Sequence, residues 1–403
     1  MFKLISTPNT LNVGGFPPFS SVSAVGISHT DSSEFSPLSL FKDGKQGVWY
    51  DPSDLSTLFQ DAAGTFLVTT NDNPVGKMLD KSGNNNHATQ PTIAARPLYK
   101  TEPSRLLLDK VDDAIVINFP KRIVGSMTIA TTTGTATYGV DIPQGNLTLG
   151  GRYFPSTDIV GLVINEGELS ENDKSKLVKL FVGKGAIESF ASNTSLANAF
   201  RNWSFLTSFP LINTSKVTNF QYAWYGNKLT SFPLIDTSRV TNFQYAWYGN
   251  KLTSFPLINT SSATNFQNSW SGNQLTSFPL IDTSRVTNFS FAWSSNKLTS
   301  FPLIDTSSGT NFSYALHGNS TLTSFPKNAF DNIKGGNFTK TFDNTNLNQE
   351  SIDGILVSLV TSGIATGTRV FSQSGGSAPS AIGKAAINTL RGRGWTVTVT
   401  GGY

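Results

Sequence analysis

The chain has 403 residues, of which 38% are apolar and only 14% charged; 30 basic against 26 acidic side chains leave a formal charge of +4. That length allows about two to three domains with sizeable cores. The basic surplus is scattered, with no like-charge block or basic stripe, which argues against nucleic acid as a partner. No stretch approaches the roughly 18 apolar residues of a membrane helix, so membrane insertion is not expected. Cysteine is absent, as suits a reducing compartment, and Met1–Asn9 lack the apolar run of a signal peptide. The expectation is synthesis in a cytoplasm without an export signal.

Residues 1–38 are rich in Ser, Pro and Gly with little periodicity, and read as an arm that becomes ordered on a partner. From 39 to 187, short apolar runs between turn residues predict strands at Thr65–Thr70, Arg105–Leu108, Ala114–Phe119, Asn146–Leu149 and Asp158–Ile164. A helix closes this region. Ser170 through Asp173 make a capping-box-like start, Lys174, Lys176, Lys179 and Lys184 follow, and Leu177, Leu180 and Phe181 share a face.

Residues 188–347 are dominated by one unit, L-T-S-F-P-L-I-[DN]-T-S-x-x-T-N-F-x-x-x-W-x-x-N-x. Leu206, Leu229, Leu252, Leu275 and Leu298 advance by 23 each time, and Leu322 follows after 24. A unit this short cannot bury its own apolar side chains, so copies must stack into a continuous core. The expected strand is Ser208–Ile212, with Phe209 and Leu211 inward and Ser208, Pro210 and Ile212 outward. The recurring Pro removes a ladder donor in every copy, which leaves a three-sided β-solenoid as the alternative. A degenerate half-unit begins at Thr194 and a divergent copy ends at Leu347. Beyond it, 348–403 predict a small α/β cap, with helices at Ser351–Val360 and Pro379–Leu390 and a strand at Trp395–Thr400. The fold class expected is therefore mainly β: an N-terminal sandwich-like domain, a solenoid of 23-residue units and an α/β cap.

Two stretches resemble known families. Segments such as Asp236–Asn250 are similar to the BspA-type leucine-rich repeats of bacterial surface proteins over residues 194–347, with Asn227, Asn250, Asn273 and Asn296 where that family has Cys. Gly47–Asp61, Val75–Asn84 and Ala95–Pro97 resemble a segment recurring in structural proteins of tailed bacteriophages, often tail fibre or receptor-binding components. There the segment precedes a laminin-G or concanavalin-like sandwich carrying F-D-G-V-D-D. Here Leu108–Asp113 stand at that place, with Lys110 for Gly, and the short span to Asp158 implies a trimmed sandwich.

Site candidates follow from the repeat columns. Trp224, Trp247, Trp270 and Trp293 recur at one position, as an inner aromatic ladder does. Contact candidates are columns that change between copies: Tyr225, Tyr248, Ser271, Ser294 and His317 in one, Lys216, Arg239, Ser262, Arg285 and Ser308 in another. The column Asn213, Asp236, Asn259, Asp282, Asp305 suits turn-closing side chains better than Ca²⁺ ligands. His29, His87 and His317 are the only histidines, and none has a metal-ligand spacing. Glu166 and Glu168 could face each other like a glycanase pair, but read more simply as acidic residues leading into the helix. Neither an enzyme nor a cofactor or metal is expected. The resemblance implies a virion-surface protein, a tail fibre or tail-tip adhesin, with a capsid decoration protein and a glycan-degrading spike as alternatives. Its partners would be other virion proteins through the arm and a host-surface glycan or protein through the repeats, in a homo-oligomer that is trimeric by analogy with fibres.

Overall fold

The structure, a computed structural model, describes residues 35–109, 111–132, 135–150, 158–184, 186, 194–365 and 368–403. The arm expected over 1–38 thus lies almost wholly outside the described residues. Ser36 through Tyr403 form one compact unit, mainly β with few helices and with antiparallel sheets in its first part. Ser36 already belongs to it, capping a 3-10 turn at Pro37–Gly44 that buries Phe41.

Twelve strands precede the repeats among the described residues: β1 (Gly47–Tyr50), β2 (Leu58–Phe59), β3 (Lys77–Met78), β4 (Ala88–Thr89), β5 (Leu98–Thr101), β6 (Ser104–Leu107), β7 (Ala114–Phe119), β8 (Ile123–Ala130), β9 (Thr135–Ile142), β10 (Gly145–Gly150), β11 (Asp158–Ile159) and β12 (Gly161–Glu166). They pair as β1-β12-β8-β9, β10-β7-β4-β3-β2 and β11-β6-β5. Tyr50, Phe119, Met127, Tyr138 and Ile164 belong to their shared, fully buried core. Thr65–Thr70 is not a strand; only Leu67 bridges, to Phe59. The long β8–β9 hairpin, by contrast, was not expected. Its apolar alternation is broken by Ser126 and Thr128, yet both are buried, and Thr128 Oγ1 bonds Thr137 Oγ1 at 2.7 Å.

Helix α1 (Glu171–Gly183) starts as its sequence dictates, with Ser170 Oγ accepting the Asp173 N–H at 3.1 Å. Leu177 and Phe181 are buried while Leu180 is half-buried. Gly161 is needed beneath it, since a Cβ there would sit 2.1 Å from the Phe181 ring. Lys184, just beyond the helix, reaches the buried Asp51 carboxylate at 2.9 Å.

From Ser195 on, the chain forms coils laid in parallel register. Single bridges join Ser195, Asn219, Asn242, Asn265, Asn288, Asn311 and Asn337 in succession. The ladder therefore runs through the T-N-F segment, not through Ser208–Ile212. That segment is no strand, and its side chains do not alternate: Phe209 and Ile212 are buried, whereas Leu211 is 73% exposed. The expected inward Leu211 and outward Ile212 are both reversed. Pro210 withholds the donor a ladder would need, and the chain instead turns inward at every third residue.

Each end of the stack is sealed by a sheet edge. At the first coil, Asp141 N–H donates to Phe205 O at 2.7 Å and Thr207 N–H to Gly139 O at 3.0 Å, so Phe205–Thr207 lie along β9. Gly139 N–H also donates to Ser208 Oγ at 2.9 Å. At the far end, β13 (Gly336–Phe338), α2 (Gln349–Thr361), β14 (Arg369–Ser372), α3 (Ala381–Gly392) and β15 (Thr396–Thr398) follow. Strands β13, β14 and β15 are parallel, with Phe338, Phe371 and Val397 in register. Two β-α steps thus carry on the repeat ladder, each with a helix in place of the L-T-S-F-P-L-I stretch.

The β9 junction has no room for a side chain at position 139: a Cβ would lie 2.4 Å from Ser208 Oγ and 3.2 Å from Ser208 Cβ. Gly139→Val should cost about 1–3 kcal/mol in chemical denaturation, the range for overpacking. Adding Ser208→Gly should return part of that loss. No recovery in the double variant would place the strain elsewhere.

Candidate recognition edge of the repeats

Along Asn219–Asn227 the backbone does two things at once. Phe220, Tyr222, Trp224 and Gly226 each donate their N–H to the next copy, to Asn242, Gln244, Ala246 and Tyr248 carbonyls at 2.8–2.9 Å. Between them, Ala223 N–H turns back to Phe220 O at 2.9 Å. The residue at position 222 sits in the left-handed region, at φ +56°, and its equivalents Tyr245, Asn268, Phe291 and Tyr314 lie at +56° to +57°. The curl sends Phe220, Ala223 and Trp224 into the core and leaves Tyr222 and Tyr225 at the surface, half-buried.

Trp224, Trp247, Trp270 and Trp293 are buried, stacked nearly parallel at 5.5, 5.5 and 5.8 Å. Phe232 meets Trp224 edge-on at 4.7 Å, and Phe255 meets Trp247 likewise at 4.8 Å. Leu316 and Phe342, which succeed the Trp column, are buried too. No indole N–H of the four has a hydrogen-bond acceptor among the described residues. The Asn column closes the coil. Asn250 Nδ2 donates to Trp224 O at 2.8 Å and Trp247 O at 3.1 Å, while its Oδ1 accepts Leu229 N–H at 3.1 Å. An amide, able to donate and accept, thus ties adjacent copies together.

The Asn/Asp column does close turns: Asp236 Oδ1 accepts the Ser238 N–H at 3.0 Å and its hydroxyl at 2.7 Å. The Ser238 N–H, then its hydroxyl, hold the Asp236 carboxyl below the usual carboxylate range, and Ser284 does the same for Asp282.

Tyr225 and Tyr248 stack at 4.9 Å, and Tyr222 and Tyr245 beside them at 4.6 Å. The Arg201 guanidinium covers the N-terminal end of this tyrosine group, 4.5 Å from the Tyr222 ring and 5.1 Å from Tyr225. Burial, then the neighbouring Tyr222, Tyr248 and Tyr225 hydroxyls, raise the Tyr245 pKa. His317 lies further along, 5.4 Å from Tyr314, and Lys340 is 5.6 Å from that same ring. The column of Tyr222, Tyr245, Asn268, Phe291 and Tyr314 was missed in the sequence, although its variation among near-identical copies was a usable signal.

Lys216, Arg239 and Arg285 form a separate exposed column, on the turn before the ladder segment, and make no ion pair among the described residues. Where that column is Ser, the side chain is used by the stack: Ser262 and Ser308 donate to Ser238 O and Ser284 O at 2.7 and 2.6 Å. The leucines at Leu211, Leu234, Leu257, Leu280 and Leu303 make a third exposed line, 56–73% exposed.

Glu166 and Glu168 have different surroundings. Glu166 accepts Gln46 N–H at 3.1 Å and lies 3.5 Å from Lys121, whereas Glu168 lines a cleft of about 510 Å³ between β9, α1 and Ser208–Ile212. Among the described residues, Asp109, Asp112 and Asp113 are close enough to share a cation. Asp109 Oδ1 already accepts the N–H groups of Val111, Asp112 and Asp113 at 2.8–3.2 Å, so the loop is closed by its own hydrogen bonds. No described helix is long and apolar enough to cross a membrane.

No family model, curated protein or solved structure matches the chain.

Truncating one member of the tryptophan ladder to a methyl should be costly, and replacing it by a smaller aromatic ring without the nitrogen should be much less so. Trp247→Ala is expected to lose roughly 3–5 kcal/mol, the range for a large buried aromatic. Trp247→Phe gives up some volume but no hydrogen bond, so about 1.5 kcal/mol or less is expected. Equal losses in urea titrations would mean the indole N–H has a partner after all.

Proposed function

We propose that the repeats form a leucine-rich-repeat solenoid, and that the chain is a bacteriophage virion protein, a tail fibre or tail-tip adhesin. The solenoid would hold a host-surface glycan or protein, the first β region would be a trimmed laminin-G-like domain, and residues 1–38 would attach it to other virion proteins. A fibre-type trimer suits this role. One observation carries the reading. The positions that vary from copy to copy at Tyr222 and Tyr225 lie together on one open aromatic edge, while the Leu206, Phe209, Phe220 and Trp224 columns are buried. Amphipathic, stiff tyrosines with a neighbouring Arg are the residue types that dominate contact surfaces. Binding rather than chemistry is favoured, because Glu166 is engaged by Gln46 N–H and Lys121 while Glu168 stands apart in a cleft.

The test is placement and competition. Gold-labelled antibody against the purified chain should mark the tail of intact particles, and the full chain should block their adsorption to host cells. With few charges on the edge, moderate salt should change that block little. Labelling on the head without competition would favour capsid decoration. Particles without label would sink the virion reading altogether.

A further inference from the structure

The aromatic column at position 222 is interrupted once. Tyr222 and Tyr245 stack at 4.6 Å and Phe291 and Tyr314 at 4.4 Å, but the third copy places Asn268 between them. The adjoining column is interrupted in the same copy, where Ser271 follows Tyr225 and Tyr248. Asn268 keeps the backbone of its column, with φ +56° and its N–H on Ser290 O at 2.9 Å. What is missing is one ring. Tyr245 and Phe291 are two steps apart, roughly 9 Å, which leaves the thickness of a single ring between two aromatic faces.

The floor of that gap is polar and neutral. Asn268 as a whole is only 7% exposed, and its amide makes no hydrogen bond with the described protein. Beside it, Ser271 Oγ and Ser294 Oγ bond each other at 2.7 Å and are buried. The Asn268 amide itself reaches the surface, since it is not among the enclosed unpaired polar atoms, and is free to meet a ligand's hydroxyls. Residues 252–274, the third copy, contain no Asp, Glu, Lys, Arg or His, unlike every other full copy.

We propose that the gap between Tyr245 and Phe291 is a slot for one pyranose ring of a neutral saccharide. The ring stacks between the two aromatic faces while its hydroxyls meet the Asn268 amide. An aromatic side chain from a protein partner would fit the width but would leave the Asn268 amide unpaired, so a sugar suits the site better. A charged sugar finds no counter-charge in this copy. The proposal deepens the adhesin reading and rests on the tyrosine edge being a contact surface.

The experiment uses the full chain with three probes, cellohexaose, maltohexaose and chitohexaose, read by calorimetry and by saturation transfer from aromatic protons. At least one should bind saturably. Asn268→Tyr completes the column with the residue that three neighbours already carry, so Tm should stay within about 3 °C while binding falls at least about tenfold. Ser271→Tyr fills the slot from the adjoining column and serves if Asn268→Tyr fails to fold. Tyr245→Ala should weaken binding similarly by removing a wall. Leu257→Ser, in the same copy on the exposed leucine line, should bind as the parent does. No binding of any probe, as expected if a protein side chain is the true occupant, would overturn the proposal. So would undiminished binding in a folded slot-filling variant. A chain that binds a probe through the slot and fails to block adsorption would sink the adhesin reading and leave the slot standing.

Discussion

Everything in the repeats depends on the alternate backbone N–H groups of the T-N-F segment being given to the next copy. Four such donors per coil, at Phe220, Tyr222, Trp224 and Gly226 in the first full copy, fix copies in exact vertical register. Register is what turns a sequence repeat into columns. Once the backbones are stacked, a Trp in each copy must lie on the Trp of the last, and the spacing of 5.5–5.8 Å is that of offset rings. The Asn250 column then serves the same register from inside, bonding carbonyls of two copies at once. The ladder is satisfied only if someone takes it up at the ends. At the last coil β14 and β15 do so; at the first, β9 pairs instead with Phe205–Thr207, on the second line of copy-to-copy bonds that Lys228 and Thr230 N–H make to Leu206 and Thr207 O. An unpaired edge would invite another chain, so the β region and the α/β cap are part of the stack's chemistry rather than appendages.

The sequence was most readable where one side chain has one job. Ser170 before Asp173 announced the start of α1, Ala114–Phe119 matched β7 to the residue, and the 23-residue spacing matches the step of the copy-to-copy bridges. It misled where an apolar residue is not buried. Leu211 and its equivalents repeat as faithfully as any core position, and strand alternation over Ser208–Ile212 puts Leu211 inward. Phe209 and Ile212 are three apart because Pro210 prevents a strand, and a strand was the assumption that assigned the faces. The β8–β9 hairpin was hidden by the opposite effect, buried hydroxyls that satisfy each other across the strands. The edge itself was half-visible. Tyr225 and Tyr248 stood out as a varying column, but the column of Tyr222 became legible only with the left-handed curl that turns two residues, not one, toward the surface.

That curl also says something about why the edge carries aromatics. A left-handed backbone costs an ordinary L-residue roughly 1–2 kcal/mol, and Asn is among the few side chains that tolerate it. Asn198 and Asn268 take that easy option at this position of their coils. Tyr222, Tyr245, Phe291 and Tyr314 do not, so local backbone preference is not the reason for aromatic rings there. Two things can offset the strain: stacking on the copy before or after, seen at 4.6 and 4.4 Å, and contact with a partner. Stacking gains most from an unbroken column. A column broken once, at a copy that also loses its charges, is weaker as a self-supporting stack than it could be. Asn268 relieves the backbone strain but forgoes the stacking, and a ring supplied from outside would restore that stacking in the proposed slot.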